Sequence, residues 1–253
     1  ERSLLGLLES IDYKEYEVDL MLYRHEGEFM NFIPKEVNIL NEIDEYTTFD
    51  RPIKDLLFSK LFVYGIARLI SKLRLKLKKE NESVWKQLQY ISNTITPILP
   101  EIKGEYDLAI CFLGISDVVA KKVNAKTKIA WIHTDYSILD PDKKMDLALF
   151  DKLDYIVTVS DKCKEEFLKI YPTMKKKSIV IENILTKSFI EKQSNLINKA
   201  EDMKIEKDEI TFLSVGRYSE AKNFDNVPII CKYLVDMGFN IKWYIVGYGS
   251  DEN

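Results

Sequence analysis

Cysteine is scarce in this sequence. Cys111, Cys163 and Cys231 stand far apart, form no pair with metal-ligand spacing and leave an odd count. That pattern excludes a disulfide framework and predicts a reducing compartment. Cys111 and Cys231 sit among apolar neighbours, so packing is their expected role rather than nucleophilic attack. No apolar run reaches spanning length and no secretory leader is visible, which predicts a chain that is cytoplasmic or peripheral to a membrane. A positive balance is missing as well: the net charge is −4, against general nucleic-acid binding. Asp140-Pro-Asp142 has the spacing of an acidic metal pair, but the proline and the lysines after it predict a loop and a helix start. No metal and no cofactor is expected.

What is present suits one large or two smaller α/β domains. The chain has 253 residues, 46% of them apolar and 31% charged. Helix is expected over the first eight residues, and short strands over Val18–Tyr23 and Val37–Leu40. His25 falls on a polar loop with no ligand partners and reads as solvated. From residue 105 the pattern alternates regularly. Strands are expected at Tyr106–Phe112, Lys128–His133, Asp154–Ser160 and Ser178–Ile181, with helices at Gly114–Val123, Lys143–Leu153 and Lys162–Ile170. Apolar strands between amphipathic helices predict a parallel sheet covered on both faces. Ser160 is expected to cap the helix that follows it.

Residues 53–79 predict one long helix, and Ser83–Ile95 a second. Ile66, Ile70, Leu73 and Leu77 repeat at helical spacing, while Arg68, Lys72, Lys76 and Lys79 form another stripe. No carboxylate occurs from 56 to 79. A basic amphipathic helix of this kind suits an anionic membrane surface; the alternative is an ordinary solvated face.

The stretch that points to chemistry is 212–226. Ile210–Val215 is short, β-branched and aromatic, and reads as a buried strand ending at Gly216. Arg217 and Lys222 follow, before a helix expected to start between Asn223 and Asn226. Strand, glycine turn, two cations and a helix N-terminus together make a receptacle for a diphosphate. The competing reading is a surface αβ turn with solvated cations. A second candidate is His133, at the carboxyl end of a strand, where parallel α/β sheets collect function. It could instead merely cap that strand. No serine and acid partners of a hydrolase triad are visible for it.

Val215-Gly216-Arg217, Ser219-Glu220, Lys222-Asn223 and Ile245-Val246-Gly247-Tyr248-Gly249 resemble the opening of the nucleotide-sugar domain in glycosyltransferase family four. The resemblance implies the GT-B arrangement: an N-terminal Rossmann-like domain with a parallel sheet, and the beginning of a second Rossmann-like domain. The expected boundaries are 1–186, a connecting region 187–209, and 210–253. Relative to that pattern the chain looks clipped at both ends, lacking the first strand and the acidic motif of the second domain.

The implied activity is transfer of a hexose-type sugar, with retention, from a nucleotide-diphospho-sugar. The donor would be UDP-linked and the acceptor a glycan or a lipid-linked molecule of cell-surface polysaccharide synthesis, without a metal. The implied catalytic residues are His133, Arg217 and Lys222, with donor contacts at Gly216, Arg217, Lys222, Asn223 and Gly247. Asp135 and Tyr136 would touch sugar or acceptor, or else cap the next segment. Two other functions stay open: a nucleotide-sugar epimerase of the same architecture, and a non-catalytic nucleotide-sugar or partner-binding module.

Overall fold

The computed structural model describes residues 2–78, 83–196, 203–204 and 206–249. Lys79 of the expected long helix, residues 197–202 and 205 of the expected connecting region, and 250–253 lie outside them. The chain divides into two compact units, Glu1–Ile190 and Glu191–Asn253.

The first unit is α/β, with a four-stranded parallel sheet flanked by helices, an arrangement compatible with a Rossmann-like layout. Its strands are β3 (Ile102–Cys111), β4 (Val123–Ile132), β5 (Tyr155–Thr158) and β6 (Ser178–Val180), side by side in chain order. A separate parallel pair, β1 (Asp19–Leu20) and β2 (Asn38–Ile39), lies earlier in the chain. The Tyr106 hydroxyl ties this pair to β3 by donating to Asp19 Oδ2 at 2.9 Å.

Two elements differ from the sequence expectation for reasons that can be named. The helix expected over Gly114–Val123 is the shorter α5 (Asp117–Lys122), and β4 begins at once at Val123, not at Lys128. Val123, Ala125 and Thr127 turn to one side and alternate with exposed Asn124 and Lys126, a period of two that the local charge hides. The single helix over 53–79 is instead two, α2 (Ile53–Leu57) and α3 (Phe62–Leu77). At the break the Ser59 hydroxyl donates to Leu56 O at 2.8 Å and accepts from Leu61 N at 3.1 Å, which competes with the helix ladder. Gly65 then lets α2 lie against α3, since a Cβ there would sit 3.0 Å from a Leu57 methyl.

Other boundaries move as well: of the strands expected over Val18–Tyr23 and Val37–Leu40 only Asp19–Leu20 and Asn38–Ile39 form, β3 begins at Ile102 rather than Tyr106, and β5 is trimmed at both ends. The Ser83 hydroxyl caps α4 (Val84–Ile95) by accepting from Lys86 N at 3.1 Å. Ser160 caps α7 (Asp161–Ile170) by accepting from Cys163 N at 3.2 Å, as expected. Helix α6 (Lys143–Phe150) stops short of Leu153 because the Lys177 ammonium takes its terminal carbonyls, Phe150 O at 3.1 Å and Asp151 O at 3.0 Å, together with Leu153 O at 2.7 Å.

Two clusters form the core. One gathers Ala130, Ile132, Leu149, Leu153 and Ile156 around the rings of Tyr136, Phe150, Phe167 and Tyr171, which meet mostly edge to face. The other joins Tyr46, Ala67, Ile91, Ile95, Leu99 and Val118. The sheet is not covered on both faces throughout: Leu108 and Ile110 of β3 are exposed. Helix α1 (Arg2–Glu9) closes the unit. A Cβ on Gly6 would strike the Ile184 carbonyl oxygen, and the Glu9 carboxylate accepts from the hydroxyls of Thr186 and Ser188.

In the second unit β7 (Ile210–Val215) and β8 (Ile241–Val246) pair in parallel through the crossover helix α9 (Val227–Asp236), which follows α8 (Lys187–Leu196) in helix order. β7 is a strand as expected but not a buried one: Leu213 and Val215, like Ile229 and Tyr233 of α9, remain exposed, as two strands and one helix cannot cover both faces of a sheet.

Candidate functional site

The Arg217–Lys222 turn is described within the second unit and His133 within the first. β7 ends at Val215, and the glycine after it does two things. A Cβ on Gly247 would collide with the Gly216 carbonyl oxygen, and one on Gly249 with that of Tyr218, so the chain past β8 can approach only as glycine. The ladder also runs on: Gly216 N donates to Val246 O at 3.0 Å and Tyr218 N to Tyr248 O at 3.1 Å. The Gly216 amide is therefore committed to the sheet and is not the phosphate donor that the turn suggested. The Arg217 amide between them makes no hydrogen bond among the described residues.

Beyond Tyr218 the chain does not enter a helix directly. Glu220–Lys222 and Phe224–Asn226 are two 3-10 turns hinged at Asn223, whose φ of 55° is left-handed, and α9 begins only at Val227. The Asn223 side-chain oxygen accepts from Asn226 Nδ2 at 2.6 Å and fixes the hinge, while its own Nδ2 has no partner among the described residues. Lys222 lies along Gly216, with its Cγ and Cδ 3.6 Å from where a Cβ would stand. Arg217 and Lys222 are both exposed. The turn thus sets two solvated cations and an unengaged amide beside a glycine-lined strand end.

Replacing Gly247 by alanine tests that geometry. The added methyl meets backbone, which cannot swing aside, so the second unit should lose about 1–3 kcal/mol. The thermal midpoint of the chain should fall, and an unchanged midpoint would refute the close approach of the two glycines.

In the first unit His133 follows Ile132, the last residue of β4. Its ring packs 4.5 Å from that of Phe112, centroid to centroid, and lies nearly parallel to Trp131. Burial lowers its pKa, against a hydrogen bond to the Phe112 backbone that raises it, so the imidazole is neutral at pH 7. Nε2 is buried and has no partner among the described residues. A neutral ring nitrogen of this kind can accept a hydrogen bond, but a ligand hydroxyl reaches it only if the surrounding side chains move aside.

The neighbours of His133 turn out differently. Tyr136 is buried in the aromatic core against Phe167 and Tyr171, so packing is the role the structure gives it. Asp135 caps the short turn Tyr136–Ile138 by accepting from Ser137 N at 2.8 Å, and the Ser137 hydrogen bonds hold its carboxyl below the ordinary range. Of the readings open for these two, capping and packing are the ones observed. His25 is exposed. Cys111 is a free thiol pushed up by burial, a packing residue rather than an activated nucleophile.

The structure also assembles a polar network that sequence reasoning passed over. Asp142 caps α6 by accepting from Lys144 N and Met145 N, both at 3.2 Å, and pairs with the Lys78 ammonium at 2.7 Å. Asp140-Pro-Asp142 is thus a loop and a helix start, as expected. Behind it Asp146, only 2% exposed, accepts from Gln89 Nε2 at 2.6 Å and from the Tyr171 hydroxyl at 2.7 Å. Burial pushes the Asp146 carboxyl up to about 6, with the charges of Asp117 and Asp142 adding to it, against the two hydrogen bonds. A cleft of about 630 Å³ opens beside this network, edged by Arg74, Lys78, Lys121 and Lys144. The available signal was an aspartate on the same helix face as the Asp142 cap, four residues on, amid Leu147, Leu149 and Phe150.

Among the described residues no three His, Cys, Asp or Glu side chains gather as a metal ion would need. No protein-family model and no curated protein matches this chain.

Proposed function

We propose that this chain belongs to a retaining glycosyltransferase of GT-B architecture, acting on a nucleotide-diphospho-sugar and a glycan or lipid-linked acceptor. The observation that carries the reading is the β7 turn: a glycine-paired strand end followed at once by Arg217, and then by Lys222 on a hinge fixed by Asn223. The resemblance of residues 215–223 and 245–249 to the donor domain of glycosyltransferase family four supports the same reading. In it, Arg217 and Lys222 hold the donor diphosphate and neutralise the charge that grows on it as the sugar leaves. The Arg217 amide and Asn223 Nδ2 supply neutral donors. His133, uncharged, is a separate candidate on the first unit for contact with a sugar hydroxyl, reached once the side chains that bury Nε2 move aside.

The test is incubation of the full natural chain with a labelled UDP-sugar, with and without a polysaccharide or lipid-linked acceptor. The expected product is a glycoside that keeps the anomeric configuration of the donor, formed equally well in EDTA. Loss of turnover in chelator with recovery in manganese would refute the metal-free mechanism. An epimer formed without acceptor would identify an epimerase, and nucleotide-sugar binding without turnover a binding module.

A further inference from the structure

Helix α3 is amphipathic in an unusual sense, because its apolar stripe faces away from the protein. Phe62, Ile66, Leu69, Ile70, Leu73 and Leu77 follow helical spacing along one side, and every one of them is exposed, Leu77 at 72%. The side turned inward carries Gly65, Ala67, Ser71 and Leu75. At about 100° per residue, the outward stripe covers roughly a third of the circumference and lies nearly opposite the buried one. Phe58, in the turn between α2 and α3, is 92% exposed. A water-facing helix would carry polar residues here.

The rims of the stripe say what covers it. Lys72 and Lys76 run along one margin, exposed and without an ion pair among the described residues. Arg74 edges the other, bonded to the neutral Thr94 Oγ1 at 2.9 Å and Asn93 Oδ1 at 3.3 Å and lying over the Tyr90 ring, with no carboxylate partner among the described residues. Arg68 is not part of the basic margin: it turns inward and donates to the carbonyls of Thr48 and Arg51. Residues 56–78 contain no carboxylate, and of their six cations Lys72, Lys76 and Arg74 flank the stripe while Lys60 pairs with Asp44 and Lys78 with Asp142; α4, which packs beside α3, has no carboxylate either. α4 also exposes Val84 and Leu88.

From this we infer that the α3 face docks on an anionic lipid surface. A second copy of the same face would oppose cation to cation, with no acid from 56 to 78 on either side. A bilayer instead takes the apolar stripe into its interface and meets the lysines with lipid phosphates. Among the described residues no helix is long and apolar enough to cross a membrane, so α3, about 24 Å long, lies in the interface plane. The inference needs no sugar donor and stands whether or not the proposed transfer is correct.

Sedimentation of the full chain with phosphatidylcholine vesicles, and with vesicles that also contain phosphatidylglycerol, reads it directly. Binding should be at least about tenfold tighter to the anionic vesicles. Lys72→Glu with Lys76→Glu should remove that difference, and Leu69→Ser with Leu73→Ser should abolish binding while the circular dichroism spectrum stays the same. Because these side chains are exposed, the fold does not depend on them. A Leu73→Trp variant gives an independent readout, a blue shift of its added emission on anionic vesicles. Equal, negligible binding to both vesicle types overturns the proposal, as does unshifted emission from that tryptophan. A dimer in solution that Leu69→Ser with Leu73→Ser converts to monomer also overturns it, by giving the face to a second copy.

Discussion

Alanine at Arg217 or at Lys222 is expected to lower kcat/KM for the nucleotide-sugar by roughly 10²–10³-fold, the usual effect of removing one charge-stabilising donor from a transition state. Both side chains are exposed and bear no core contact, so the thermal midpoint should stay within about 0.5 kcal/mol of the parent in stability. Neutralising charge on a leaving diphosphate matters more as the bond breaks than in the bound donor. The loss should therefore fall more on kcat than on KM. The effect on Arg217 should exceed a simple charge deletion, because lysine there cannot reproduce the planar fork of the guanidinium. Arg217→Lys should consequently recover only part of the activity. Full turnover in both alanine variants would remove the diphosphate assignment.

The second large effect concerns stability. Asp146 has its carboxyl raised from the ordinary 3.8 to about 6 in the folded state. The native protein thus holds this proton more tightly than the unfolded chain does. Its contribution is fully present below about pH 4 and is lost as pH rises through 6, by roughly 3 kcal/mol for a shift of about two units. Depressed groups such as Asp142 work the other way and lose their contribution as pH falls, so the whole-protein profile mixes both signs. Asp146→Asn isolates the effect of this one carboxyl. Asparagine can still accept from Gln89, and its amide can donate to the Tyr171 oxygen. The variant should be comparable to the parent near pH 4 and more stable by pH 8, as denaturant midpoints at a series of pH values would measure. A stability difference that does not change with pH would show that Asp146 titrates normally.

How much of this was legible in the residues depends on the range of the forces involved. Where local chemistry decides, the reading was close: Ser160 caps its helix, a helix covers Val84–Ile95, β7 falls on Ile210–Val215, and Asp142 opens a helix. Where contacts distant in sequence decide, it was not. Val123–Thr127 looks helical or loop-like by composition and becomes a strand only because β3 offers it a partner. The break at Ser59 turns on one hydroxyl that outcompetes the helix ladder. Tyr136 reads as a site residue from its place beside His133, yet its ring belongs to the core because Phe167 and Tyr171 come to meet it from α7 and beyond. The inward turn of Arg68 and the outward turn of Leu69 and Leu73 follow from small residues on the opposite side of α3, Gly65, Ala67 and Ser71, which let α3 seat closely. An alphabet of hydrophobic and polar residues alone assigns that helix the reverse orientation.

The fastening of α1 to the segment 184–188 carries a consequence for the order of assembly. Gly6 and Ile184, and Glu9 with Thr186 and Ser188, meet across nearly the whole span of the first unit. Such a closure confines a very long loop, so its entropic cost can be met only after the intervening sheet has formed. These contacts thus behave as a clasp that shuts late in folding and opens early in unfolding. Release of either side frees the other, exposing at once the two chain segments through which the unit begins and ends.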